Sequence, residues 1–476
     1  MRRIISCLIF SVIAGTGFLQ AQRVKYTLVI TGANIVDVAN NKIITDRLIA
    51  ISGDTIMAID DSKKRKQYDA DRHIDIAGKY IMPGLWDMHV HFRGGDSLVE
   101  ANKKLLPLFL YYGITTVREC GGDMTPAIMY WRKQMLNGSL DGPKIFTSGP
   151  KVDGPDATWA GSLEVTTPEQ IEKALDSLQA IQADFVKLYD SKISREAYLR
   201  VIAGAAQRGM KTAGHMPYTV TLKEAVDQGL NASEHLFYVF KACSNKEDSL
   251  TKAIIESQQT DKPISLGAAL PTVYNTFDPQ IAAGLFQYLA QKRFSVTPTI
   301  FISKTLTEIN DQDHSRDKLL RYIDPRIQAT YASRLNNAKR QSVAAAAFRK
   351  EFDQRTRSLV PLMYRAGINI MAGSDCGASN SYIYPGESLH EELKLLVATG
   401  LTPAQALKTA TLNGAFFLGV DDFYGSVQKG KSSDLVVFEK NPLVAIEAID
   451  NIYMVFSNGK LYSKEKLDEL LRSIKN

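Results

Sequence analysis

The chain has 476 residues, of which 45% are hydrophobic and 23% charged, and a formal charge of +6. That composition fits a globular protein with one large domain and a smaller one, and it excludes disordered and fibrous classes. The small, evenly spread positive charge excludes a nucleic-acid footprint.

The first segment, "MRRIISCLIFSVIAGTGFLQA", has two arginines, a short apolar run and small residues ending at Ala21. This is the layout of a cleaved signal peptide, predicted over residues 1–21, and it implies export to the periplasm or beyond. Cys7 precedes the apolar run, which argues against a lipoprotein anchor. No later stretch is long and apolar enough to span a bilayer, so no stable membrane insertion is expected after cleavage. Removing Arg2 and Arg3 from the 57 basic residues leaves 55 against 51 acidic ones, a charge of +4. Cys120, Cys243 and Cys376 would remain, too few for a disulfide framework.

From Thr27 to Asp60 the chain reads as short β-branched strands, with Gly53-Asp54 as a hairpin turn. The basic run Lys63–Lys66 sits among aspartates and reads as a solvated loop. The C-terminal segments "GSVQKGKSSDLVVFEKNPL" and "NIYMVFSNGKLY" have the same strand character. Both ends, residues 22–80 and 425–476, are therefore expected to form one small antiparallel β-sandwich module.

Between them, residues 81–424 alternate short apolar runs with stretches of helical length. The runs include "GITTVREC", "PKIFTSG", "ADFVKLYD", "KTAGH", "LNASEH", "FSVTPTI" and "INIMAGSD". Thr167 and Ser194 are placed as helix N-caps. About eight strands alternating with helices predict an α/β fold, a (β/α)₈ TIM barrel. No Gly-rich phosphate loop follows the first strand, which disfavours an open doubly wound sheet. The connections over 236–292 and 301–365 are too long for plain crossovers. They are candidates for a lid, a specificity wall or an oligomer contact.

The unusual polar residues fall at strand ends. His89 and His91 close "PGLWDMHVH", Lys187 lies in "ADFVKLYD", and His215, His235 and Asp375 end later strands. These ends form the face where barrels carry active sites. Period two turns His89 and His91 to one side, able to reach one ion, and Asp87 shares their parity and could orient a ligand from behind. Each residue alone has a bland alternative: a structural histidine, or Asp375 as a helix cap. Lys187 sits in an apolar strand where a bare ammonium is costly, and Asp184 and Asp190 have the opposite parity. Together the six residues point to a metal site. His73, His314 and His390 are placed in loops or on helices in structural roles.

This order of motifs, with "AGHMPY", "NASEH", "AGSDCG" and "GLTPAQALKTATLNGAFFLG", resembles the amidohydrolase superfamily. The resemblance is to its imidazolonepropionase-like and prolidase-like, Xaa-Pro dipeptidase-related branch. It implies that His89 and His91 bind the more buried of two divalent ions, with zinc expected. It implies that Lys187 is carboxylated to a bridging carbamate, that His215 and His235 bind the second ion, and that Asp375 is ligand and proton shuttle. Glu119 stands where relatives often carry aspartate. Burial favours a neutral amine, the form that takes up CO₂.

The implied activity is hydrolysis of a C–N amide bond in a small molecule, of dipeptide or N-acyl amino acid type. Metal-activated hydroxide would attack, with Asp375 as general base and then acid. Tyr218 and Tyr189 are candidate substrate contacts. The alternatives are a cyclic amide or lactone hydrolase and, in another class, a non-catalytic exported metal-binding protein. A homo-oligomer is compatible with the sequence; a nucleic-acid partner is not expected.

Overall fold

The computed structural model describes residues 25–475. The expected signal peptide, residues 1–21, lies outside the described residues. Among these residues no helix is long and apolar enough to cross a membrane.

Both chain ends meet in one eight-stranded sheet. The N-terminal strands are Lys25–Asp37, Lys42–Ser52, Thr55–Asp61, Asp69–Asp75 and Tyr80–Pro83; the C-terminal ones are Leu435–Phe438, Ile452–Ser457 and Lys460–Ser463. Ser52 pairs with Thr55, so Gly53-Asp54 is the expected hairpin turn, with Gly53 at φ +61°. The ladder departs from the expected sandwich of antiparallel strands in two respects: it is a single sheet, and it is mixed. The long first strand slips register around Gly32, between Ile30 and Ala33. Its first half pairs in parallel with Asp69–Asp75, and its second half pairs in parallel with Tyr80 and Ile81. The 3₁₀ turn Ser62–Gln67, which holds the basic run, precedes that first parallel strand and buries none of its residues.

The two faces of this sheet have different work. Leu28, Ile30, Ile49, Ile51, Val437 and Phe456 form a cluster of the module's own. Val36, Met82, Val436, Phe438 and Val455 join the large core of the rest of the molecule. Each such side chain contributes about 1.5–3 kcal/mol on burial, so the second face fixes the module firmly to its neighbour.

Gly84 opens a TIM-barrel-like α/β body. A side chain there would collide with Thr115. Its strands are β1 (Leu85–Val90), β2 (Ile114–Glu119), β3 (Lys144–Thr147), β4 (Val186–Leu188), β5 (Thr212–Gly214), β6 (Ala232–Glu234), β7 (Ser295–Thr297) and β8 (Asn369–Ile370). β1 to β3 pair in parallel, as do β4 to β8. The seams between these groups are also bonded. Asp184 N donates to Thr147 O at 2.9 Å, and Asp375 N donates to His89 O at 2.7 Å. Two further short parallel strands, Val152–Asp153 and Leu163–Glu164, join at the end of β4. The predicted N-caps are present: Thr167 forms a capping box with Gln170, and Ser194 accepts from Ala197 N.

The two long connections are helical. The first carries Phe237–Ala242, Glu247–Ser257, Leu266–Asn275 and Pro279–Gln291. The second carries Ile300–Thr307, Ala332–Lys339, Val343–Arg357 and Leu359–Arg365 among others. They meet through aromatic rings: Phe352 of the second lies edge to face with Phe240 of the first at 5.0 Å and stacks on Phe237 at 5.8 Å.

Candidate metal centre

The six expected residues converge at the C-terminal end of the strands. His89 Nε2 lies 3.2 Å from His91 Nε2, and His235 Nε2 lies 3.1 Å from His215 Nε2. The Asp375 carboxylate sits among them, with Oδ1 3.2 Å from His91 Nε2 and 3.6 Å from His89 Nε2, and Oδ2 3.8 Å from His235 Nε2. Ligand atoms of His89, His235 and Asp375 all fall within 4.8 Å of one another.

The outer nitrogens decide what the inner ones can do. His89 Nδ1 lies 2.7 Å from Glu234 Oε2, His91 Nδ1 2.9 Å from Gly121 O, and His215 Nδ1 3.2 Å from Asp190 Oδ1. These oxygens accept, so each Nδ1 carries the proton and each Nε2 keeps its lone pair. His235 Nδ1 meets the Thr299 hydroxyl at 2.6 Å. Burial lowers His89, His91 and His235 below the ordinary imidazole range, with Arg93 adding to the effect at His91 and His215 at His235. The Nε2 lone pairs of His89 and His91 therefore face each other and the Asp375 carboxylate with no proton to share. A cation between them removes that conflict, and nitrogen and oxygen donors suit a divalent metal such as zinc.

Lys187 is fully buried on β4, and its Nζ has no hydrogen-bond partner among the described residues. Its nearest carboxylate oxygen is Glu234 Oε1, at 4.0 Å. Asp184 and Asp190 are engaged elsewhere, as their parity required: Asp184 with Arg132 and the Thr147 amide, Asp190 with His215 and the Tyr238 hydroxyl. An orphaned buried amine beside unprotonated imidazoles suits a lysine converted to an anion.

A profile of the amidohydrolase family matches residues 80–462. The chain belongs to the amidohydrolase family. It is similar to the adenine deaminase of Clostridium acetobutylicum, 28% identical over 200 residues, which are 40% of this chain and 32% of that one. It is similar to the imidazolonepropionase of Flavobacterium johnsoniae, 30% identical over 80 residues, covering 16% of this chain and 18% of the relative. The chain thus spans a third or less of the length of these curated relatives. Among solved structures it is similar to a Xaa-Pro dipeptidase with bound methionine in the active site. The TM-score is 0.65 at 19% identity, covering 92% of this chain and 99% of that one.

The amidohydrolase centre also contains residues that strand parity does not reveal. Glu234 precedes His235 and should face away from it, yet both reach inward. His235 has a left-handed backbone, φ +61°, which turns its ring back toward the site. Glu234 is held by Arg118, whose Nη2 donates to both carboxylate oxygens at 2.7 and 3.0 Å. Burial pushes the Glu234 carboxyl up, but Arg118, Lys187 and His89 outweigh it and hold it well below the usual range. The expected orienting role of Asp87 therefore passes to Glu234. Asp87 instead accepts from the Ser374 amide at 2.9 Å, the Ser374 hydroxyl at 2.5 Å and the His89 amide at 3.2 Å. It fixes the β1–β8 seam and touches no imidazole ring.

Asp375 is also left-handed, at φ +58°, and Asn380 Nδ2 donates to its Oδ1 at 2.8 Å and its carbonyl at 2.5 Å. Glu119 accepts from the Thr147 hydroxyl through Oε2, while burial pushes its carboxyl up to about 7. Tyr189 stacks on the His215 ring at 4.3 Å. The Tyr218 hydroxyl is buried without a partner among the described residues. The other histidines stay outside the site. His73 is on the strand Asp69–Asp75, not in a loop or helix. His314 stacks on Tyr382, and His390 is held by Asp450 and the Tyr112 carbonyl. Cys120, Cys243 and Cys376 are free and buried.

Proposed function

We propose that the protein is a metal-dependent hydrolase of C–N bonds acting on a small amide of dipeptide or N-acyl amino acid type. The observation that carries this reading is the convergence of four imidazole nitrogens on the Asp375 carboxylate, with the Nδ1 atoms of His89 and His91 engaged by oxygen acceptors. His89, His91, His215, His235, Asp375 and a carboxylated Lys187 would hold two divalent ions, with zinc expected. When bound, such ions supply Lewis acidity toward a carbonyl and an activated water.

The chain's own groups do the rest. Glu234, Gly121 and Asp190 fix the ring tautomers. Asp375 takes a proton from the attacking water and passes it to the leaving nitrogen. Asn380 occupies its Oδ1, which leaves Oδ2 to carry that proton. The Tyr218 hydroxyl has a free donor for a developing oxyanion or a substrate carboxylate. Export is part of this proposal, resting on the sequence of residues 1–21.

The test is metal analysis of the purified protein, followed by a screen of dipeptides and N-acyl amino acids. About two ions per chain with amide turnover is the expected result. One ion or none would remove the carbamate bridge. Turnover of lactones or cyclic amides alone would favour an imidazolonepropionase-like activity. Ammonia release from an aminopurine alone would favour a deaminase. Bound metal with no turnover of any of these would favour a binding protein.

A further inference from the structure

Beside the metal centre lies a group of donors that the protein satisfies only in part. Arg93 follows His91 by two residues, and its side chain is 6% exposed. Its Nε donates to Ala378 O at 2.6 Å, but Nη2 has no partner. The guanidinium lies 4.0 Å from the Trp159 ring. Lys151 is 2% exposed, with Nζ 5.2 Å from that ring and 5.9 Å from the ring of Tyr189. Neither Arg93 nor Lys151 forms an ion pair within 4.0 Å among the described residues. Trp159 Nε1 is also buried, and apart from an interaction with the Tyr189 hydroxyl it has no partner. Glu119 is the buried carboxylate on this side, and one of its oxygens is likewise unpaired.

Burying two basic side chains with no directly paired anion is costly, several kcal/mol for each in general, and Glu119 and Asp375 act on them only from beyond ion-pair distance. Their position is fixed all the same. A Cβ on Gly121 would lie 2.5 Å from Lys151 Cγ, so the lysine stem runs over the residue whose carbonyl holds His91. Tyr189 joins the two regions, with one neighbour in His215 and the other in Lys151.

From these partly satisfied donors we infer that Arg93, Lys151 and Trp159 form a subsite for a carboxylate on the substrate, within a few bonds of the bond that is cut. A planar carboxylate matches the guanidinium fork and accepts from the ammonium and the indole together. This rests on the proposed C–N hydrolysis for its place in a reaction, but not for the binding itself. The protein would then select N-acyl amino acids and dipeptides with a free carboxylate over their amides.

The binding test needs no turnover. Trp86 and Trp131 are fully buried, so Trp159 is the accessible indole. Full-length metal-loaded protein is titrated with N-acetylglycine and with N-acetylglycinamide while tryptophan emission is followed, with Trp159→Phe as the blank. We expect a saturable change with the acid and none with the amide. Arg93→Met and Lys151→Met should each weaken acid binding by about tenfold or more, while Lys151→Arg should retain it. Equal responses to acid and amide would overturn the inference, as would unchanged acid binding in both methionine variants. If Arg93→Met does not fold by circular dichroism, Lys151→Met against Lys151→Arg decides. Acid binding without hydrolysis of any amide would defeat the proposed reaction and leave this subsite standing. Hydrolysis that ignores the carboxylate would do the reverse.

Discussion

Two neighbouring regions of this molecule fail to satisfy themselves, in opposite senses. Around Asp375, acceptors crowd together without protons. Around Trp159, donors gather with too few acceptors. The first region lacks positive charge and the second lacks negative charge. Asp87, by contrast, is buried and fully engaged with Ser374 and the His89 amide. On the proposed function and subsite, the contrast separates what the fold satisfies for itself from what its ligands would bring: a metal in one region, an anionic substrate in the other.

That comparison can be broken or sharpened by substitution. The largest effect is expected at the acceptor side. Asp375→Asn should lower kcat by about 10²–10⁴-fold, measured by steady-state kinetics on whichever amide the screen identifies. Lys187→Ala should lose most activity and regain part of it with added short carboxylic acids. Wild-type turnover in that variant would remove the carbamate from the account.

A smaller effect is expected one step back. Glu234→Gln still accepts from His89 but gives up its charge. It should weaken metal binding by about 10–100-fold, read by competition with a chelator. Asn380→Ala leaves every proposed ligand in place and frees Asp375 Oδ1. It should lower kcat by about tenfold while KM and metal content stay constant.

The smallest effect belongs to a region that is already satisfied. Glu392 is fully buried and accepts from the amides of Ile300 and Phe301 at 3.1 and 2.6 Å. Burial nevertheless pushes its carboxyl up to about 8. A glutamate in the unfolded chain titrates near about 4.3. The folded state therefore holds this proton more tightly. The resulting stability is fully present below the unfolded value and is lost as pH rises through about 8. The Glu392 contribution to Tm should therefore fall between about pH 4.3 and about 8 and level off above that, and Glu392→Gln should flatten that slope. An unchanged slope would show that Glu392 is not its source.

Much of this arrangement is legible in the sequence, because period two and strand ends are local properties. β1 to β8 fall within the apolar runs, and Thr167 and Ser194 cap as their side chains require. His89, His91 and Lys187 need only parity and burial. What escapes has a physical reason in each case. Glu234 is hidden because a single left-handed residue, His235, breaks the alternation that would assign it. Asn380 lies past the strand, in a loop with no period. Arg93 follows β1 while Lys151 and Trp159 lie between β3 and β4, so the two parts meet only in three dimensions. The mixed terminal sheet escapes because strand direction depends on crossovers, which hydrophobic patterning does not encode.

The rings of Phe237, Phe240 and Phe352 tie the two long insertions into one body. Neither insertion can then be exchanged with a homologue alone, since a graft would arrive without its half of the seam. A change to this surface that preserves its packing must come either as point changes around the seam or as both insertions moving together.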